Sequence, residues 1–245
     1  SSSELSEEVK LANYLKVIKT ENRYISESAA LRSLSINTDG RVVERAQKLT
    51  DEIPWSERIL VRYAELLFDS RKFSETAQLA EKTPASFSSD DSFLRFLAVK
   101  SAAVLEDDAF LEKVLFWFSR YSIDRNHAEF IRSPLFASLP SYIQSLCTLR
   151  VYVNDRNYIP ALSAAQQLIA FSQEFNHTAM YSRLIFSDIG KAFLYASKDY
   201  AEGAQFFEHT ARTEGVRAGS HVPFMAYFYA GRLYERSSQV QKALQ

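Results

Sequence analysis

The chain has 245 residues, 29 Lys plus Arg against 30 Asp plus Glu, 47% hydrophobic residues, six Gly, six Pro and one Cys. That length can bury a real core, and that composition excludes collagen-like, disordered and disulfide-stapled classes. A formal charge of −1 supplies no global field for gripping a phosphate backbone, so no direct nucleic-acid partner is expected.

With so little Gly and Pro, and with Ala, Leu, Ser, Gln, Glu and Lys filling long stretches, the chain reads as nearly all helix, about twelve or thirteen of them. The opening SSSELSEEVK is acidic, and no apolar run nears the roughly 18 to 20 residues that cross a bilayer. No membrane partner is expected, and the location reads as intracellular and cytoplasmic, with the nucleus left open. Pro54 fits the first turn of a helix that continues through the apolar periodicity of Leu60, Tyr63, Ala64, Leu67 and Phe68. Asp69 to Lys72 is short and polar, the length that joins antiparallel neighbours. Ser89, Asp90 and Asp91 are expected to cap the next run, Leu94, Leu97, Ala98, Ser101, Val104 and Leu105, and Asp107 and Asp108 to separate it from the helix after it. Residues Ser122 to Pro140 carry two prolines and two aromatics, Phe130 and Phe136, with a short helix expected over Asp124 to Arg132. This interval reads either as a long connection that packs its own apolar residues or as a hinge between two sub-stacks. Asn154 to Asn157 and Ser197 to Asp199 are again short connectors. The run Phe224 to Ala230 is apolar nearly all round, which predicts a helix covered on most sides, or an oligomer contact if a face is left bare. Starting at Ser rather than Met and stopping in a helical stretch at Gln245, the chain reads as a fragment of a longer protein.

A repeat runs through these elements. Tyr152, Phe193 and Tyr234 are 41 residues apart, as are Leu149, Gly190 and Gly231, and Ile143, Leu184 and Met225. A small or apolar residue followed three later by an aromatic puts both on one helix face, where the aromatic fills the gap to a neighbour. The same scheme matches Ala64, Leu67, Phe73 and Thr76; Ser101, Val104, Phe110 and Lys113; Leu149, Tyr152, Tyr158 and Ala161; Gly190, Phe193, Tyr200 and Gly203; and Gly231, Tyr234, Val240 and Ala243. A fainter first copy runs through Ser33, Ile36, Val42 and Arg45.

This pattern resembles the tetratricopeptide repeat, with Thr76, Lys113 and Gly203 standing where the family prefers Ala and with longer, uneven spacing. The resemblance implies an all-α, right-handed superhelical solenoid of antiparallel helix pairs, one domain over residues 1–245 with an irregular connection near 122–140. The longer period is also similar to the helical segment of large LuxR-type regulators related to the maltose activator. In such solenoids the residue after the small position points into a concave groove; here it is Glu65, Ala102, Arg150, Lys191 and Arg232. The last three form a cationic ladder, with Asn154, Tyr195 and Arg236 one turn further on and Phe228 as an apolar contact. Such a ladder suits a protein or acidic peptide segment.

Catalytic chemistry is not expected. The six glycines, at 40, 190, 203, 215, 219 and 231, lack any phosphate-loop or dinucleotide spacing, and His127, His177, His209 and His221 are scattered. No metal or cofactor is predicted. Cys147, between Leu146 and Thr148, reads as a buried apolar residue, and Glu106, Asp107 and Asp108 as acids favouring a helix start. Phe116, Trp117 and Phe118 point in three directions and serve the core. The expected function is a non-catalytic protein–protein interaction scaffold; the alternative is the ligand- or partner-sensing domain of a maltose-activator-like transcription regulator.

Overall fold

A computed structural model of the protein describes residues 6–38, 40–82, 91–174, 183–214 and 221–238. Among them there are fourteen α-helices and no strand. The chain divides into two compact units, Ser1–Phe110 and Leu111–Gln245.

The first unit holds α1 (Glu7–Val17), α2 (Arg23–Ser33), α3 (Val42–Glu52), α4 (Glu57–Asp69), α5 (Phe73–Lys82) and α6 (Asp91–Val104). Ser6, Asn22 and Ser56 start α1, α2 and α4, each side-chain oxygen accepting from the N–H three residues on, which satisfies a donor the helix cannot. Pro54 accordingly lies in the turn before the Ser56 cap and not, as expected, in a first helical turn. α2 packs on α4 and α4 on α6, while α5 lies against both α4 and α6. The apolar stripes meet in one cluster around Ala30, Ala46, Ile59 and Leu67 and a second around Ala64, Ala80, Leu94 and Leu97. Thr76 replaces the expected Ala without an orphaned polar group, because its hydroxyl donates to the Lys72 carbonyl at 2.9 Å. Val104 departs from the repeat scheme: it ends α6 and is 55% exposed, so it fills no gap.

The repeat is visible in the backbone. After α4 and α6, and again after α10 of the second unit (Ser141–Asn154), the chain turns through a left-handed residue, Arg71, Glu106 and Arg156, at φ 59°, 53° and 57°. In each case the next N–H reaches back five residues to a helix-end carbonyl: Lys72 to Leu67 at 2.9 Å, Asp107 to Ala102 at 3.0 Å, Asn157 to Tyr152 at 2.8 Å. Satisfying those carbonyls offsets the steric cost of a left-handed side-chain-bearing residue, about 1–2 kcal/mol.

The second unit contains α7 (Phe110–Arg120, apart from its first residue), α8 (Arg125–Phe130), α9 (Pro134–Ala137), α10, α11 (Tyr158–Glu174), α12 (Arg183–Ala196), α13 (Tyr200–Glu214) and α14 (His221–Arg236). The three polar connectors fall where the sequence puts them, between α4 and α5, α10 and α11, and α12 and α13. α10 packs on α11 and α12, and α14 on α12 and α13. The interval 122–140 lies inside this unit and packs inward: Phe130 is 1% exposed against Trp117 and Phe118, both fully buried, while Phe116 stands 43% exposed. The boundary between the units is at Phe110 and Leu111, not in this interval. Gly190 and Gly203 are demanded by close approach. A Cβ at Gly190 would stand 2.3 Å from the Tyr229 ring, and one at Gly203 would stand 2.7 Å from the Phe193 ring. Ser89, Asp90, Val240 and Ala243, with Gly215, Gly219 and His177, lie outside the described residues, as does the side chain of Asp91.

Candidate functional site

Four of the seven residues expected in a binding groove line one open depression of the second unit, about 370 Å³, between α10 and α12: Arg150, Asn154, Lys191 and Tyr195. The helix pairing explains why. α10 and α12 pack directly on one another, so positions 41 residues apart, such as Arg150 and Lys191, come to the same side.

Arg150 nevertheless behaves differently from the expected free cation. It is 5% exposed, and each part of its fork is occupied. Nε donates to the Phe118 carbonyl at 2.9 Å, Nη2 to the Tyr121 carbonyl at 2.7 Å, and Nη1 to the Asp188 carboxylate. Those carbonyls close the end of α7, where a helix leaves four acceptors without intrahelical donors. Arg150 is thus a clamp joining the end of α7 to α12 through α10, and its charge is spent inside the protein. Asp188, its counter-ion, is 4% exposed. Burial pushes its carboxyl pKa up, while Arg150 and then Lys191 pull it down. Asp188 is absent from the expected site residues, although the sequence carries a signal for it: a single acid within the apolar run Ile185, Phe186, Ile189.

The outward chemistry comes from other groups. Lys191 sits 3.6 Å from Asp188 with its side chain 45% exposed. Arg156, in the left-handed turn, is exposed at the groove and is a second addition to the expected set. Tyr195 is 62% exposed, with its ring centroid 4.7 Å from that of Tyr158. Since Arg150 and Asp188 offset each other, the net charge offered to a ligand is that of Lys191 and Arg156. Asn154 is exposed beside them. Arg232, Arg236 and Phe228 are on α14, at the positions that Lys191, Tyr195 and Ser187 hold on α12; Arg232 faces Glu235 at 3.2 Å in an exposed pair.

Two further titratable side chains of this unit, Cys147 and His127, lie in its core. The Cys147 thiol is fully buried and its pKa is pushed well above the usual value by that burial. His127 is fully buried, its ring stacked on Trp117 with centroids 4.0 Å apart and Nδ1 2.8 Å from Asp124. Burial lowers its pKa, outweighing the pull of Asp124, while Arg150 adds slightly to the lowering. Because the unfolded chain takes up this proton near the ordinary 6.5 while the folded chain resists it, the unfolded state binds more protons in the interval below. Stability will therefore fall as the pH drops below about 6.5. Urea midpoints measured against pH should show this slope in the wild type and a flatter one in His127→Gln; equal slopes would remove His127 as its source.

Among the described residues no group of His, Cys, Asp or Glu is placed to hold a metal ion, and no helix is long and apolar enough to cross a membrane. No family model matches the chain, nor does any curated protein or solved structure.

Proposed function

We propose that the groove between α10 and α12 is a recognition surface for an acidic protein segment, and that the chain serves as a non-catalytic, tetratricopeptide-like interaction scaffold. The observation that carries this reading is the conjunction of two outward cations, Lys191 and Arg156, with a tyrosine pair, Tyr158 and Tyr195, on a wall built from rigid helices. The buried Arg150–Asp188 pair supports it from beneath, because it fixes α10 against α12 and so preorganises the wall. Carboxylates would meet Lys191 and Arg156, and an apolar or aromatic side chain would lie on the exposed Tyr195 ring.

The test is fluorescence anisotropy with labelled acidic, neutral and basic peptides of equal length. Acidic peptides should bind preferentially and more weakly as salt is raised. Lys191→Gln with Arg156→Gln should weaken them by roughly fivefold or more while circular dichroism stays unchanged, since neither change sets a second carboxylate beside the buried Asp188. Binding that ignores peptide charge, or that survives the double neutralisation, would reject the groove as the site.

A further inference from the structure

Another concavity, of about 430 Å³, lies in the first unit between the end of α1 and α3. Four cations line it, Lys16 and Lys19 from the α1 side and Arg45 and Lys48 from α3, with Glu52 as the one carboxylate among the described lining residues. In a chain whose formal charge is −1, this is a strong local concentration of one sign. Arg45 and Lys48 stand three residues apart on one face of α3, and like charges so placed repel. The protein itself offsets little of this. Glu52 is 3.6 Å from Lys48, in a pair whose side chains are 47% and 76% exposed, and such pairs contribute little. Among the described residues neither Lys16 nor Lys19 has an ion-pair partner. Arg45 is half-buried, and its Nη2 donates to the Ile36 carbonyl at 2.6 Å, which fixes where its charge stands. The carbonyl end of α1 counts as about half a negative charge, so the cations keep a clear surplus even beside Glu52.

We infer that this concavity binds a compact, multiply charged phosphate group, either a free oligophosphate or the phosphorylated head of a larger molecule. The choice rests on charge complementarity within a small volume. Acidic side chains on one face of an extended peptide stand roughly 7 Å apart and bring one charge each. An oligophosphate places several charges on adjoining groups, as cations converging on a single concavity require. Its oxygens would accept from the Arg45 guanidinium and from the three lysine ammonium groups. The buried Ile18 and Leu49 in the lining supply a low-dielectric wall that focuses the field of those cations. None of these residues belongs to the α10–α12 groove, so neither reading depends on the other.

Isothermal titration of the full chain with inorganic tripolyphosphate at low ionic strength tests the inference. Saturable one-to-one binding is expected, weakening as salt is raised. Lys16→Gln with Lys48→Gln should weaken it by roughly tenfold, and Glu52→Gln, which removes a like charge, should tighten it. These positions are exposed, so circular dichroism should stay unchanged, and Lys19→Gln gives a second reading should the pair fold poorly. Vesicles of phosphatidylcholine with and without phosphatidylinositol bisphosphate separate the two sources. Retention of the chain by the phosphorylated vesicles identifies a headgroup, and binding of soluble tripolyphosphate without retention identifies a free anion. No binding of tripolyphosphate overturns the inference, as does binding that survives the lysine substitutions. So does displacement of tripolyphosphate by a polyglutamate peptide, which would make the concavity a surface for acidic chains.

Discussion

Arg150→Ala will cost the protein about 3–5 kcal/mol of unfolding free energy, far more than a surface arginine can contribute. Removing the guanidinium leaves Asp188 buried with only Lys191 nearby, and strips donors from the Phe118 and Tyr121 carbonyls at the end of α7. The deficit will shrink as the pH falls. The loss of Arg150 raises the folded pKa of Asp188 further, and a raised carboxyl contributes stability at low pH that disappears as the pH rises through it. Arg150→Met combined with Asp188→Leu should recover much of the loss, since two apolar groups need no counter-ion, but not all of it, because the α7 carbonyls stay without their donor. Urea unfolding of the two variants beside wild type measures these differences. A single Arg150→Ala that unfolds within about 1 kcal/mol of wild type would show that the clamp carries little weight. Arg150→Glu, which treats the residue as an exposed contact, should not fold.

Gly190→Leu should cost about 3–5 kcal/mol, although the repeat places Leu149 at the equivalent point of α10. A Cβ alone would come within 2.3 Å of Tyr229 Cδ1, and that ring is also stacked on Phe207, with centroids 5.3 Å apart, so it has little freedom to shift. Moving it breaks the Ser187–Tyr229 hydrogen bond as well. Gly190→Ala should cost less, because the helix propensity of Ala, worth about 1 kcal/mol over Gly, works against the clash. Pairing Gly190→Ala with Tyr229→Leu frees the space, and the pair should be less destabilised than the sum of its parts. Thermal melting decides the matter, and an additive pair would deny that the two side chains compete for one volume.

Several features are legible in the sequence because they are local. The connectors at 69–72, 154–157 and 197–199 are short and polar between apolar periodicities, and they fall where expected. Trp117 and Phe118 share a cluster while Phe116 points out, as three consecutive residues on a helix must. Asn154, Lys191 and Tyr195 reach one groove because helices of similar length and spacing stack in register. Other features depend on contacts that spacing does not carry. Pro54 suits either a turn or a first helical residue, and it is Ser56 that claims the cap. α8 is the short helix expected over Asp124 to Arg132, whereas α9 raises the helix number because Ser133 caps a brief turn that has too few residues to show a period. By spacing Gly190 is one variant of the small position, whereas its glycine is dictated by a ring 39 residues away.

The helices, the turns between them and the positions that repeat can thus be deduced from the amino acids alone, because each depends on residues three or four apart along one helix or on a short connector. Which charges face the solvent and which face the core is settled by long-range packing. Arg150 and Lys191 are indistinguishable by spacing, yet one is sealed by two carbonyls and a carboxylate lying 29 to 38 residues away, and the other remains half exposed. A charge can enter the core only where the fold brings it partners enough to replace water, and a pattern along a single helix does not hold that information.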